Sequence, residues 1–188
     1  MGPSRPRHDN VAPMEVTIRR ARTTDVRSVR RLIDGYARGG ILLDKPTVTL
    51  FESVQEFWVA ERDDDGTVVA CGALHVMWED LAEVRTLAVD PICRGHGIGH
   101  TLLAKLLQTA RWLGVRRIFC LTFEVAFFAK HGFIEIGETN DGTTDPAVIA
   151  TEVYEELLRS YDEGVAEFLD LERVKPNTLG NSRMLLHL

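Results

Sequence analysis

The chain has 188 residues, 45% hydrophobic and 27% charged, enough to bury one sizeable core and in keeping with a single domain. That composition excludes collagen-like, disordered and disulfide-scaffold classes. With 22 Lys and Arg against 28 Asp and Glu, the formal net charge is -6; no nucleic-acid partner is expected, and an anionic ligand must be met by local groups.

Residues 1–14 hold three prolines, few apolar side chains and no periodicity, and read as a flexible tail before a domain spanning 15–188. A strand opens at Val16. Thr24 and Asp25 offer an N-cap for a helix whose apolar face is Val26, Val29, Leu32, Ile33 and Tyr36, stopped by Gly39 and Gly40. The segment 41–46 (ILLDKP) reads as a turn, and Thr47 to Val54 as a second short helix. Strands over Phe57 to Glu61 and Val68 to Trp78 flank Asp63-Asp64-Asp65-Gly66, a hairpin signal, and residues 82–89 extend the meander.

The longest amphipathic helix covers 97–113, with Ile98, Leu102, Leu103, Leu106, Leu107, Ala110 and Leu113 on one face and Gly114 at the C-cap. A strand at 116–122, a short helix at 126–130 and a strand at 133–136 follow, then a loop over 137–146. Thr151 can cap a short helix to Leu158. The stretch 161–180 is the least legible, partly helical around Val165 to Leu169, and Met184 to Leu188 closes the chain as a strand. The order is mixed α/β.

Apolar runs fall far short of the ~20 residues that cross a bilayer, and no secretory signal is apparent, so a cytoplasmic protein without a membrane partner is expected. Cys71, Cys93 and Cys120 lack CxxC or Cys/His spacing and read as buried thiols, with no metal site expected.

The segment from Leu87 to Gly99 (LAVDPICRGHGIG) runs from an apolar strand through a bend and a glycine-rich turn into the long helix. Glycines let a backbone approach an anion closely, and the first amides of a helix point at it with the dipole behind them. Arg94 and His96 can supplement those amides. No Lys-Ser/Thr follows, as a nucleoside-triphosphate loop requires, and the dinucleotide G-x-G-x-x-G form is missing. The pyrophosphate of another carrier fits better; a tight turn with no ligand is the plainer alternative.

Arg94-x-x-Gly97-x-Gly99, with Leu87-Ala88-Val89 before it and the long helix after it, resembles the acyl-CoA signature of the GNAT N-acetyltransferase superfamily. Phe128-Ala129-Lys130-His131-Gly132-Phe133 is similar to its second motif. The resemblance implies acetyl-CoA as cosubstrate and a mixed α/β fold. The central sheet would be mostly antiparallel, split at the acetyl-CoA site after Val89, with helices on both faces. Leu87, Ala88 and Val89 would line the pantetheine arm, and Arg94, Gly95, His96, Gly97, Ile98 and Gly99 would wrap the pyrophosphate, with Phe128 completing the site.

Four segments, 41–46 (ILLDKP), 83–89 (EVRTLAV), 121–124 (LTFE) and 179–184 (LGNSRM), resemble the acetyltransferase domain of N-acetylglutamate synthases, closest to the short actinobacterial type. This implies acetylation of the α-amine of L-glutamate, the first step of arginine biosynthesis, with Lys45, Arg85, Thr122, Asn181 and Ser182 as amino-acid contacts, and is compatible with a homodimer. Gly180 stands where longer relatives carry Arg, so glutamine is a candidate second acceptor. The kinase domain that precedes this domain in longer relatives is not in this sequence, so arginine feedback does not follow from the resemblance. Acetylation of another small amine, and an acyl-CoA sensor with weak turnover, stay open as alternatives.

An α-amine is largely protonated at neutral pH and must lose a proton before attack. Glu83 is the leading base, because strand alternation would place it on one face with Arg85, Leu87 and Val89; Glu124 and Tyr161 stand behind it. Phe127 and Phe128 occupy the region where many superfamily members carry a proton-donating Tyr. Arg85 in an apolar strand calls for a carboxylate partner, from the substrate or from a neighbouring Glu. Lys45 pairs with the substrate α-carboxylate or is an exposed loop lysine. An acetyl-Cys93 route lacks an activating dyad. His75, His131 and the three tryptophans read as structural or interface residues.

Overall fold

A computed structural model describes residues 14–37, 45–136, 149–171 and 181–188. Most of the N-terminal tail, Gly39-Gly40, Ile41 to Asp44, the 137–146 loop, and Leu179-Gly180 lie outside these residues.

The first half is a meander against two helices. It comprises β1 (Val16–Arg20), α1 (Val26–Ala37), α2 (Thr47–Glu52), β2 (Phe57–Arg62), β3 (Val68–Trp78) and β4 (Leu81–Val89). The second half alternates: α3 (Ile98–Leu113), β5 (Arg117–Thr122), α4 (Val125–Ala129), β6 (Ile134–Glu135), α5 (Thr151–Leu157), α6 (Glu163–Phe168) and β7 (Ser182–His187). The strands form one sheet in the order β1-β2-β3-β4-β5-β7-β6. Among the described residues, only β4 and β5 pair in parallel. Their ladder is short, from Leu81 opposite Arg117 to Glu83 opposite Phe119, and both strands run on past it, opening the sheet.

The longest amphipathic helix covers one face of the sheet. Leu103, Leu106, Leu107 and Ala110 of α3 pack on Ala82, Val84, Ile118 and Cys120, joined by Phe128 of α4. Val26, Val29, Leu32 and Ile33 of α1 pack on the other face, over Val59, Cys71, Ala73 and Ala88. Farther along, Phe168 of α6 covers Leu81, Phe119 and Leu185. Helices on both faces of a mostly antiparallel sheet agree with the architecture that the sequence implied.

Two capping expectations change. Asp25 does not cap α1; it closes a single 3₁₀ turn, Thr23–Asp25, accepting the Arg22 N–H at 2.7 Å and a two-pronged Arg19 guanidinium at 2.7 and 3.0 Å. Arg19 thereby holds the Asp25 carboxyl below the usual carboxylate range. Ala150 takes the cap position before Thr151, and the side-chain cap appears one helix later, where Asp162 Oδ1 accepts the Val165 N–H of α6 at 3.2 Å.

A β-bulge decides which side chains share a face. Ala73 pairs with Arg85 but Cys71 pairs with Ala88, so β4 spends one extra residue there. Thr86 absorbs it with φ +59°, a left-handed conformation rare for a β-branched residue. Upstream, Ala82 and Val84 face α3; downstream, Leu87 and Val89 face α3 and Ala88 faces α1. Glu83 and Arg85 therefore point away from Leu87 and Val89, correcting the simple alternation expected from the sequence.

Candidate active site

The splayed β4 and β5 enclose a cavity of about 810 Å³. One end is the turn leading into α3. Asp90 anchors it, taking Arg31 Nη1 at 2.9 Å and the Ile92 N–H at 3.2 Å, before a single 3₁₀ turn at Pro91–Cys93. Gly95 (φ +84°) and Gly97 (φ +78°) then take left-handed conformations that side chains resist. Gly97 is the residue before the first turn of α3, whose amides no intrahelical carbonyl can satisfy. Ile98, Gly99 and His100 of that turn line the cavity.

Tyr36, on α1, ties this turn to the strand. Its hydroxyl donates to the Val89 carbonyl and accepts from Arg94 Nη2 at 2.9 Å. The Arg94 guanidinium also lies 5.3 Å from the Tyr36 ring centre, so the one cation in the turn is held at the cavity edge.

The other end is a charge cluster. Arg85 places Nη2 2.6 Å from Glu83 Oε2 and grips Asp162 with two bonds, at 3.0 and 2.9 Å. His75 extends the chain, 3.5 Å from Asp162 on one nitrogen and 2.9 Å from Glu56 on the other. Burial opposes ionisation of Asp162, but Arg85 outweighs it and holds that carboxyl down at about 2. Burial raises Glu83 despite Arg85 beside it. Lys45 lines the same end, its carbonyl held by Arg30 Nη1, and burial followed by the nearby Arg85 lowers the proton affinity of its ammonium.

The expected site residues divide cleanly. Lys45, Glu83, Arg85, Leu87, Val89, Arg94, Gly95, Gly97, Ile98, Gly99, Thr122, Phe128 and Asn181 all line the cavity. Ala88, His96 and Ser182 do not. The Ala88 side chain joins the α1 core. His96 Nδ1 folds back to the carbonyls of Cys93 and Arg94, at 3.2 and 3.1 Å, and the Ser182 hydroxyl donates to Glu135 at 3.2 Å. Cys93 lines the cavity, but burial and Asp90 raise its thiol, which disfavours a thiolate nucleophile. Of the two reserve bases, Glu124 lines the wall and Tyr161 is 98% exposed at the rim.

The structure adds Tyr36, Asp162, Gly164 and Glu167 to the lining. For Tyr36 the helical spacing reported only its face. The other three lie on or beside α6, whose buried run Val165, Ala166, Glu167 and Phe168 lacks the periodicity that marks an amphipathic helix. Among the described residues, no helix is long and apolar enough to cross a membrane.

A glycine-rich turn before a helix at one end of a split α/β sheet, and buried ionisable groups at the other, make a cleft of the kind that enzymes use to hold an anionic carrier beside acid–base groups. The acetyltransferase (GNAT) family model matches residues 28–133. The amino-acid acetyltransferase of Mycobacterium tuberculosis is 61% identical over 170 residues, covering 90% of this chain and 92% of that protein. A solved Mycobacterium tuberculosis structure, in complex with CoA and NLQ, superposes with a TM-score of 0.82 at 60% identity, covering 92% of this chain and 99% of that one. N-acetylglutamate synthase from Neisseria gonorrhoeae, complexed with coenzyme A and N-acetyl-glutamate, gives 0.66 at 25% identity, covering 93% of this chain but 35% of that one. The chain belongs to the GNAT acetyltransferase family.

Proposed function

We propose that this chain, through a catalytic unit spanning residues 15–188, moves the acetyl group of acetyl-CoA directly to the α-amine of L-glutamate, with L-glutamine as a second acceptor, opening arginine biosynthesis. The observation that carries this reading is the continuity of the cavity: one cleft joins the Arg94–Gly99 turn to Lys45, Glu83 and Arg85. The mycobacterial relative's name and the two liganded structures support the same substrates.

The turn fits a pyrophosphate. A Cβ built on Gly95 or Gly97 meets nothing within 4 Å, so the space above the turn is open, and Arg94 and the α3 amides face it. Leu87 and Val89 line the pantetheine arm along the free edge of β4. At the other end, Lys45 pairs with the amino-acid α-carboxylate, since Arg85 is already occupied by Glu83 and Asp162. Thr122 and Asn181 supply polar contacts for the substrate side chain. His96 braces the turn, and Ser182 steadies the adjoining strand.

Glu83 takes a proton from the ammonium through water. The amine nitrogen then attacks the thioester carbonyl carbon, the C–N bond forms and the C–S bond breaks. The departing sulfur takes one proton and a second leaves to solvent. Positioning of amine and thioester in one desolvated cleft supplies much of the acceleration. The need for acetyl-CoA places the protein in the cytoplasm.

Thiol release from acetyl-CoA, measured with glutamate, glutamine, other amino acids and polyamines, tests the reading. Saturable turnover with glutamate well above the non-cognate amines supports it. Binding of CoA without turnover on any acceptor overturns it in favour of an acyl-CoA sensor.

A further inference from the structure

Helix α6 lies across the amino-acid end of the cleft. Its first turn presses on β4, since a Cβ placed on Gly164 would lie 2.0 Å from Glu83 Oε2. Its last residue reaches β5 and β7: the Phe168 ring packs on Phe119 and Leu185, and the Phe168 carbonyl accepts from Arg183 Nη2. Glu167, between these anchors, lines the cleft together with Thr122 and Asn181. It is only 6% exposed, and its Oε1 is buried with no hydrogen-bond partner. Among the described residues no basic side chain forms an ion pair with it, whereas Glu83, the other buried carboxylate of the cleft, has Arg85 at 2.6 Å. A carboxyl sealed in this way favours its neutral form.

We propose that Glu167 is a specificity-determining residue that reads the side chain of the amino-acid acceptor: as a neutral acid it donates its O–H to the side-chain carboxylate of glutamate, and once ionised it repels that carboxylate and accepts an N–H from the side-chain amide of glutamine. The proposal rests on the acetyltransferase reading above. A hydroxyl such as that of Thr122, or an amide such as that of Asn181, can both donate and accept, so neither ranks a carboxylate against an amide. A carboxyl does, because its proton changes it from an acceptor into a donor and removes its charge.

The neighbouring charges leave this task to the substrate. Arg85, on β4, is spent on Glu83 and Asp162. Arg183, on β7, is turned to the Phe168 carbonyl and toward Asp170. Lys45, across the cleft, is assigned to the substrate α-carboxylate. The remaining neighbours, Glu83 on β4 and Glu163 in the first turn of α6, are acidic. Burial, followed by these two carboxylates, pushes the Glu167 carboxyl up to about 7, so both of its forms are present near neutrality.

The test is the ratio of kcat/KM for glutamine to that for glutamate, followed from about pH 5.5 to about pH 8.5 at saturating acetyl-CoA. Both acceptors offer the same α-ammonium to the same base, and the side-chain carboxylate of free glutamate, which titrates at about 4.3, is ionised throughout. Titration of the amine or of Glu83 therefore cancels in the ratio. For the wild type the ratio should rise about tenfold or more with pH, as repulsion replaces a charge-assisted hydrogen bond to glutamate. Glu167→Gln, whose amide does not titrate, should give a flat ratio. A flat ratio in the wild type overturns the proposal, and that comparison requires no variant. A Glu167→Gln ratio that rises as the wild type's does overturns it as well, because another group then carries the titration. So does an enzyme that acetylates one of the two acceptors and not the other at any pH. A wild type that acetylates neither overturns the underlying reading, a distinct result.

Discussion

Glu83 and Arg85, two residues apart on β4, meet with Oε2 2.6 Å from Nη2, while Leu87, the next residue in that alternation, points through the opposite face of the sheet. The one-residue bulge at Thr86 separates the two environments. On one side it turns apolar side chains toward α3, and on the other it aims two charges into the space beneath α6. A bulge beside a binding cleft is a recurrent way to re-aim a side chain. In the proposed function it would let one strand serve the carrier along its edge and the amino acid at its start.

Arg85 is the centre of the charge cluster, so its removal should cost more than the loss of one contact. Replacing it with Met leaves the buried Glu83 and the half-buried Asp162 beside one another without their cation. Breaking a buried pair from one side typically costs about 3–5 kcal/mol. Arg85→Met should therefore lower the urea midpoint strongly at pH 7, and adding Asp162→Asn should restore part of it. A single variant as stable as the wild type would show that the cluster is dispensable for folding.

Gly164 allows α6 to sit on Glu83. An alanine there must displace the Glu83 carboxylate or the helix, since the built Cβ lies 2.0 Å from Oε2. Overpacking of this kind costs about 1–3 kcal/mol. The expected outcome for Gly164→Ala is a lower melting temperature together with reduced kcat. Acetyl-CoA affinity, measured by calorimetry, should hold, because the Arg94–Gly99 turn is at the other end of the cavity.

For Lys45 the split between the two substrates is the informative quantity. Loss of one charge-assisted contact to a carboxylate is worth about 1.5–3 kcal/mol, or roughly tenfold to a hundredfold in affinity. Lys45→Ala should raise the glutamate KM by that amount and leave acetyl-CoA KM within about twofold. Equal rises in both constants would place Lys45 in a structural role.

Much of this architecture was readable from residue order. The α3 stripe repeats at helical spacing, Gly66 and Gly114 mark the hairpin and the helix end, and Gly95 and Gly97 stand where the backbone takes positive φ. The bulge was not readable, because a β-branched Thr is an unfavourable choice for a left-handed conformation and gives no local sign of it. Helix α6 (Glu163–Phe168) was legible only in part, as helix around Val165 to Leu169, and its start was missed for a related reason. Glycine in its first turn lowers helix propensity, and its necessity appears only once Glu83, some 80 residues earlier in the chain, is seen against it. Lys45, Thr122 and Asn181 reach one cleft through long-range pairing that spacing alone does not encode, and family resemblance named them.

The cluster also fixes the sign of the acid response. Asp162 has a folded value of about 2 against an ordinary 3.8. Its ionised form is thus favoured by folding, and the stabilisation is full above about pH 4 and lost as pH falls toward 2. The size is about 2 kcal/mol. Glu167 works in the opposite sense. Its carboxyl lies near 7 against 4.5, so its contribution is full below 4.5 and is lost as pH rises through 7. Urea unfolding across pH 2–9 should show both: Asp162→Asn should flatten the fall below pH 4, and Glu167→Gln should raise stability at pH 8 by roughly 1–3 kcal/mol while changing little at pH 4. A Glu167→Gln variant less stable than the wild type at pH 8 would mean that the ionised carboxylate is compensated there after all.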